Sequence, residues 1–338
     1  MTTIFDRGAL GFLKILMRGA GQVMFQRSAW TGLLFMVGIF WGAYASGNGA
    51  MAWGALLGLA VSTATGYILN MHSEDGGDGL WGFNGILVGC ALPTLLHPTI
   101  WMWLALILCA AATTWVRQGL NNIMGQWKIN SLTLPFVLCC WIFLLAAVDM
   151  DYMSAKDSIH HTHHHIVHAS GFVEAILCLF RGVSQVFLID SWITGAIFIV
   201  ALGVCSCRAA IWAAVGSALG SVTAMVMGAP MSDIAQGLYG FSPTLTAIAL
   251  ATVFYRPSWR SAAWAVVGIL FTAFVQAAMN RALAPLGIAT LTAPFCVTTW
   301  LFLLPLLRLD DDHPDHSSWH PSLKQHLQKK IKNVASRL

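Results

Sequence analysis

Charge is what this sequence has least of. Only 9% of its 338 residues are Asp, Glu, Lys or Arg, against about a quarter in soluble globular chains. That scarcity excludes a cytosolic enzyme, a disordered chain and a nucleic-acid partner, since each needs a wetted or basic surface. Paired cysteines are missing too. Cys90, Cys109, Cys139, Cys140, Cys178, Cys205, Cys207 and Cys296 show neither zinc-site nor secreted-disulfide spacing. They read as small buried hydrophobes, Cys205-x-Cys207 included. No secretory leader is recognisable. What is present is 57% hydrophobic, too apolar for a β-barrel with alternating strands. The net charge of +4 is small, and its basic residues lie mainly in termini and loops. The chain therefore reads as an all-α integral membrane protein, with membrane lipid as its surroundings.

Apolar runs predict spans near 31–47, 50–70, 83–97, 98–116 and 133–148, then near 192–206, 209–229, 240–255, 261–280 and 292–307. That makes two sets of five and ten crossings. The runs at 133–148 and 292–307 are too short for the roughly 30 Å hydrocarbon core. Both open on Thr-x-Pro-Phe, at Thr133 and Thr292. Threonine suits an N-cap and proline the first helical turn, so both helices are expected to start inside the membrane, around a polar cavity. The organisation is an interfacial segment (1–20), a first repeat (21–150), a histidine-rich linker (151–170), a second repeat (171–307) and a tail (308–338). Residues 1–20 mix Asp6, Arg7, Lys14 and Arg18 with Phe5, Leu10, Phe12, Leu13 and Leu16, as an interfacial amphipathic helix does. Basic residues before the first span and in the tail place both termini in the cytoplasm.

Self-similarity is the strongest signal. Arg18-Gly19-x-x-Gln22-Val23 recurs as Arg181-Gly182-x-x-Gln185-Val186, and Thr31-Gly32 as Thr194-Gly195, both 163 residues on. Gly54-x3-Gly58 recurs as Gly216-x3-Gly220, better read as close helix contacts than as a transport feature. Gly79-Leu80-Trp81-Gly82-Phe83 recurs as Gly237-Leu238-Tyr239-Gly240-Phe241, and Thr133-x-Pro135-Phe136-x4-Trp141 as Thr292-x-Pro294-Phe295-x4-Trp300. Five ordered matches at nearly one offset are not chance. An odd number of spans per repeat inverts the second half, and such folds place their site at the midplane between broken helices.

The repeated elements supply amide groups at Gln22 and Gln185, hydroxyls at Thr133 and Thr292, and flat apolar walls at Phe83 and Phe241. Within these repeated motifs Arg18 and Arg181 are the only matched ionisable pair. A neutral lining suits a small, planar, polar solute, and ions lose hydration there without compensation. The motifs supply no acidic pair to carry protons or sodium, so a passive channel is favoured over an ion-coupled carrier. No cofactor is implied. The run His160, His161, His163, His164, His165 and His168 offers His160, His163 and His164 as weak metal ligands of a surface site, or a pH-responsive loop. A solvated, non-cytoplasmic linker is the preferred reading. A membrane di-iron enzyme needs further histidine boxes, which the sequence lacks.

Gly82-Phe83-Asn84-Gly85-Ile86-Leu87-Val88-Gly89, the Gln-Val opening of each half and the two Thr-x-Pro-Phe segments resemble the urea transporter family over residues 15–307. The resemblance implies a homotrimer with one pore per subunit, ten spans, two short re-entrant pore helices and passive urea permeation. It implies that Gln22 and Gln185 start the re-entrant helices and feed an oxygen ladder, with Val23 and Val186 beside it. Thr133 and Thr292 are implied to face a central site, and Leu87 and Leu245 to narrow the pore. Phe83 and Phe241 are implied as one wall of each urea slot, with Phe25 opposing one of them. The second half departs from this pattern. Leu188 stands where the first half has Phe25, with Phe187 adjacent, and Phe241-Ser242-Pro243-Thr244-Leu245 replaces Phe83-Asn84-Gly85-Ile86-Leu87. Other small neutral amides, or ammonia, fit a similar lining, and a bacterial inner membrane fits the basic termini.

Overall fold

The computed structural model describes residues 8–71, 73–150, 152–153, 156 and 172–309, and no strand occurs among them. The histidine run and most of the tail lie outside the described residues. The first half comprises α1 (Gly8–Gln22), α2 (Ala29–Ala45), α3 (Gly49–Ile68), α4 (Ser73–Gly77), α5 (Phe83–Leu95), α6 (Ile100–Met124) and α7 (Leu134–Asp149). The second comprises α8 (Phe172–Ser184), α9 (Trp192–Cys205), α10 (Cys207–Val226), α11 (Met231–Ala235), α12 (Phe241–Ile248), α13 (Trp259–Leu283) and α14 (Ala293–Leu303). A wider π turn carries α12 on through Phe254.

Each apolar run of the sequence is a helix, and the starts are set by side-chain caps. Ser28 accepts from Thr31 N at 3.3 Å, and its repeat counterpart Ser191 accepts from Thr194 N at the same distance. Thr99 caps α6 through Met102 N at 3.2 Å, and Ser258 caps α13 through Ser261 N at 3.0 Å. Such oxygens satisfy N–H groups that the first turn leaves unpaired. Among the described residues four helices are long and apolar enough to cross a membrane: α3, α6, α10 and α13. The bend between α8, with its following turn, and α9 is 77°. The remaining apolar helices are shorter.

Close helix contacts rest on glycine. A Cβ on Gly58 strikes the carbonyl of Gly85 and one on Gly54 that of Gly89, so α3 lies directly on α5. In the second half a Cβ on Gly216 comes within 2.6 Å of Pro243 O, and one on Gly220 within 2.5 Å of Tyr239 O. Small residues allow this backbone approach where apolar burial gives helices no preference over lipid. Two expectations change. Leu16, read above as interfacial, is buried in α1, as are Ile15, Met17 and Ala20, while Leu10 and Leu13 are exposed. Cys205 and Cys207 are exposed, unlike the other six cysteines, because they flank Ser206 where the chain turns from α9 into α10.

Contacts between the halves are reciprocal. Thr31 donates to Ala201 O at 2.9 Å, and Thr194 donates to Gly38 O at 3.1 Å. Trp141 Nε1 donates to Ala289 O, and Trp300 Nε1 to Asn130 O, both at 2.9 Å. In each pair the second bond is the first with every residue exchanged for its repeat counterpart. Phe35 meets its own counterpart Phe198, ring centroids 4.9 Å apart.

Candidate functional site

Thr133 and Thr292 come together at the junction of the halves, with hydroxyl oxygens 2.6 Å apart. Each occupies the N-cap position of its helix, but neither side chain makes a capping bond. The threonines therefore do not cap as expected; their hydroxyls face each other instead. Cys296 Sγ is 3.3 Å from Thr133 Oγ1. Backbone strain aims them. Leu132 and Leu291, immediately upstream, hold left-handed conformations at φ 52° and 51°. Non-glycine residues enter that region at a cost, and such residues cluster at functional sites. Two facing hydroxyls use one proton between them. The second proton and the remaining lone pairs are left for a solute or for the nearby thiol.

Gln22 is the last residue of α1, and Gln185 follows α8 in a tight turn. They end helices where the resemblance implied that they start them. Gln22 Nε2 donates to Asp78 O, and Gln185 Nε2 to Gln236 O, both at 2.9 Å. A carbonyl partner fixes which end of the amide is nitrogen, so each Oε1 is turned away from the loop as an acceptor. Arg18 and Arg181 secure the same loops, donating to Gly77 O at 2.8 Å and to Ala235 O at 3.0 Å. The next residues, Gly79 and Gly237, have φ 83° and 79°, and a Cβ on either meets the backbone nitrogen of Gly19 or Gly182. Only glycine suits both demands. These loops lead into Phe83 and Phe241, the first residues of α5 and α12. Leu87 and Leu245, one turn further on, are fully enclosed, as are Val23 and Val186 beside the glutamines.

Phe25 and Leu188 occupy matched positions in matched left-handed conformations, φ 62° and 59°. The Phe25 ring meets Phe254 at 6.0 Å and Phe295 at 6.1 Å between centroids. Phe187 is fully buried against Phe35 and Phe198, centroids 5.6 and 5.1 Å away. Leu188 is thus the counterpart of Phe25, and the two sides differ chemically.

Asn84 and Ser242 were quoted in the sequence motifs without a role. Asn84 Oδ1 accepts from Phe136 N at 3.3 Å, which ties α5 to the α7 start. Asn84 Nδ2 and Ser242 Oγ are buried at matched positions without a partner among the described residues. Unpaired buried polar atoms cost free energy, so two at equivalent places beside Phe83 and Phe241 mark polar positions of the interior. The signal lay in a polar residue directly after each phenylalanine.

Ion pairs hold several of the charged side chains. Arg27 pairs with Asp78, Arg117 with Asp75 at 3.0 Å, and Arg181 with Glu174 at 2.9 Å and Asp190 at 3.4 Å. Among the described residues no group of three His, Cys, Asp or Glu side chains is placed to hold a metal ion. His160, His163 and His164 lie outside them.

Residues 13–306 match a family model described as urea transporter. The sheep protein named urea transporter 1 is 29% identical over 305 residues, covering 88% of this chain and 77% of the sheep protein. The goat protein of the same name matches at the same identity and coverage. The rat protein of that name is 28% identical, over 87% of this chain and 77% of its own length.

Proposed function

The chain belongs to the urea transporter family, a family of transport proteins rather than enzymes, and on that premise we propose that it conducts urea passively across a membrane. The observation that carries this reading is the 2.6 Å meeting of Thr133 and Thr292, together with the same glutamine-to-loop bond in each half. One polar centre with two like approaches suits a solute that enters from either face.

The reciprocal bonds between halves support a pseudo-two-fold relation, since exchange of partners is what a two-fold axis generates. We take α2, α3, α5, α6 and α7 as five crossings, and α9, α10, α12, α13 and α14 as five more in inverted order. In this arrangement α1 and α8 are the re-entrant helices, ending at Gln22 and in the turn opened by Gln185. Both termini face the cytoplasm of a bacterial inner membrane, and the subunit assembles as a homotrimer with a pore in each copy.

Permeation follows from the lining. Urea is thin and planar, so it slides edge-on past Phe83 and Phe241, with Phe25 and Leu188 opposite. Its N–H groups are donated to the Gln22 and Gln185 Oε1 atoms and the threonine hydroxyls, which replace its hydration. Leu87 and Leu245 keep the passage narrow and dry, with Val23 and Val186 beside it. An ion entering here loses several kcal/mol or more of hydration without a countercharge, so sodium and protons are excluded.

The test is urea uptake into proteoliposomes by stopped-flow light scattering. Gln22→Ala and Thr133→Val slow uptake at least about tenfold, the effect of losing one buried hydrogen bond, while His163→Ala does not. Wild-type rates in both of the first two variants remove the site assignment. Thiourea and acetamide, run beside urea, report how far the passage discriminates among small amides.

A further inference from the structure

The two halves are alike at the centre but not beside their aromatic walls. Arg117 lies in the apolar helix α6 and is almost wholly buried. An ionisable residue within a membrane helix is costly and needs a named partner. Arg117 has two. Its Nη1 pairs with Asp75 Oδ2 at 3.0 Å, and its guanidinium carbon stands over the Phe83 ring, 5.9 Å from the centroid. Asp75 belongs to α4, whose following loop delivers Phe83 into α5.

The counterpart of Arg117, 159 residues on, is Gln276, in α13. It is also buried but neutral. Its Nε2 donates to Asn280 Oδ1 at 2.9 Å and to Thr290 Oγ1 at 2.8 Å, and its Oε1 has no partner among the described residues. Asp233, the counterpart of Asp75, receives the Ser232 hydroxyl at 3.3 Å in place of a cation. The Phe241 wall therefore lacks the charged brace that the Phe83 wall has.

We propose that Arg117 is a positioning residue that, locked by Asp75, braces the Phe83 ring and makes the Phe83 side the stricter size filter of the passage. A guanidinium over a ring face adds a directional attraction to packing, and its bond to Asp75 ties the ring to the loop that carries it. The ring has less freedom to yield to a wider solute. Two filters in series pass a bulky solute at the rate of the stricter one, so this pair sets discrimination against N-substituted ureas.

The inference rests on the urea-pore reading, and its experiment separates the two. Urea and methylurea uptake are measured in proteoliposomes of the wild type, Arg117→Gln and Asp75→Ala. No urea flux in the wild type contradicts the pore reading itself. With wild-type flux present, the methylurea-to-urea permeability ratio rises roughly two- to fivefold in both variants, the factor expected from losing one ring–cation contact. Should Arg117→Gln not reconstitute, Asp75→Ala carries the same comparison. An unchanged ratio overturns the proposal, including the case where both solutes slow equally, because a merely structural residue lowers both rates together.

Discussion

At the residue scale the facing threonines do the most with the least. Each needs only a hydroxyl, and each is aimed by a strained leucine rather than by its own rotamer. Thr292→Ser keeps the hydroxyl and retains urea uptake within about twofold, whereas Thr292→Val leaves Thr133 Oγ1 with only the weaker Cys296 thiol, a loss of about 1 kcal/mol, and slows uptake. Stopped-flow rates on the two variants check this. Phe187 and Leu188 separate packing from passage. Phe187→Ala empties a fully buried aromatic site and costs about 3–5 kcal/mol of stability, read as a lower melting temperature in detergent. Leu188→Phe leaves the melting temperature near wild type and changes the ratio of thiourea to urea uptake, because it gives the second side the ring that Phe25 gives the first. The threonine pair was legible from the repeat alone. The Phe187–Leu188 assignment was not, because a left-handed residue shifts which neighbour faces inward and hydropathy does not report φ.

At the element scale, hydropathy found the helices and the repeat found their order. The glycine pairs were read as close contacts, and α3 on α5 and α10 on α12 meet in that way. Lengths were less legible. Residues 304–307 extend the apolar run, yet α14 stops at Leu303, because apolar composition continues past the point where the backbone turns. The resemblance implies helix starts at Gln22 and Gln185, but they lie at helix ends, since a repeated polar pair says nothing of chain direction on its own. Glycine gives the sharpest test here. Gly58→Leu forces a side chain into the Gly85 carbonyl and prises α3 from α5, with a loss of folded protein by size-exclusion chromatography. Gly119→Ala, in α6 with nothing within 4 Å of its Cβ, stabilises by about 0.5–1 kcal/mol through helix propensity. Equal melting temperatures for these two variants would count against the packing described.

At the scale of the whole molecule, symmetry and neutrality carry the account. Reciprocal hydrogen bonds, two self-meeting residue pairs and matched left-handed positions all follow from one duplicated half. The partners at the threonine centre, two hydroxyls and the Cys296 thiol, are uncharged. In the proposed passive passage urea permeability at low concentration is equal in both directions despite the inequality between Phe25 and Leu188, because nothing but the urea gradient drives it. The most direct measurement is urea flux into proteoliposomes with sodium, pH and voltage each clamped at zero gradient and then imposed one at a time. The account predicts rapid flux at zero gradient that none of the imposed gradients alters. Flux that appears only when one of them is applied contradicts it.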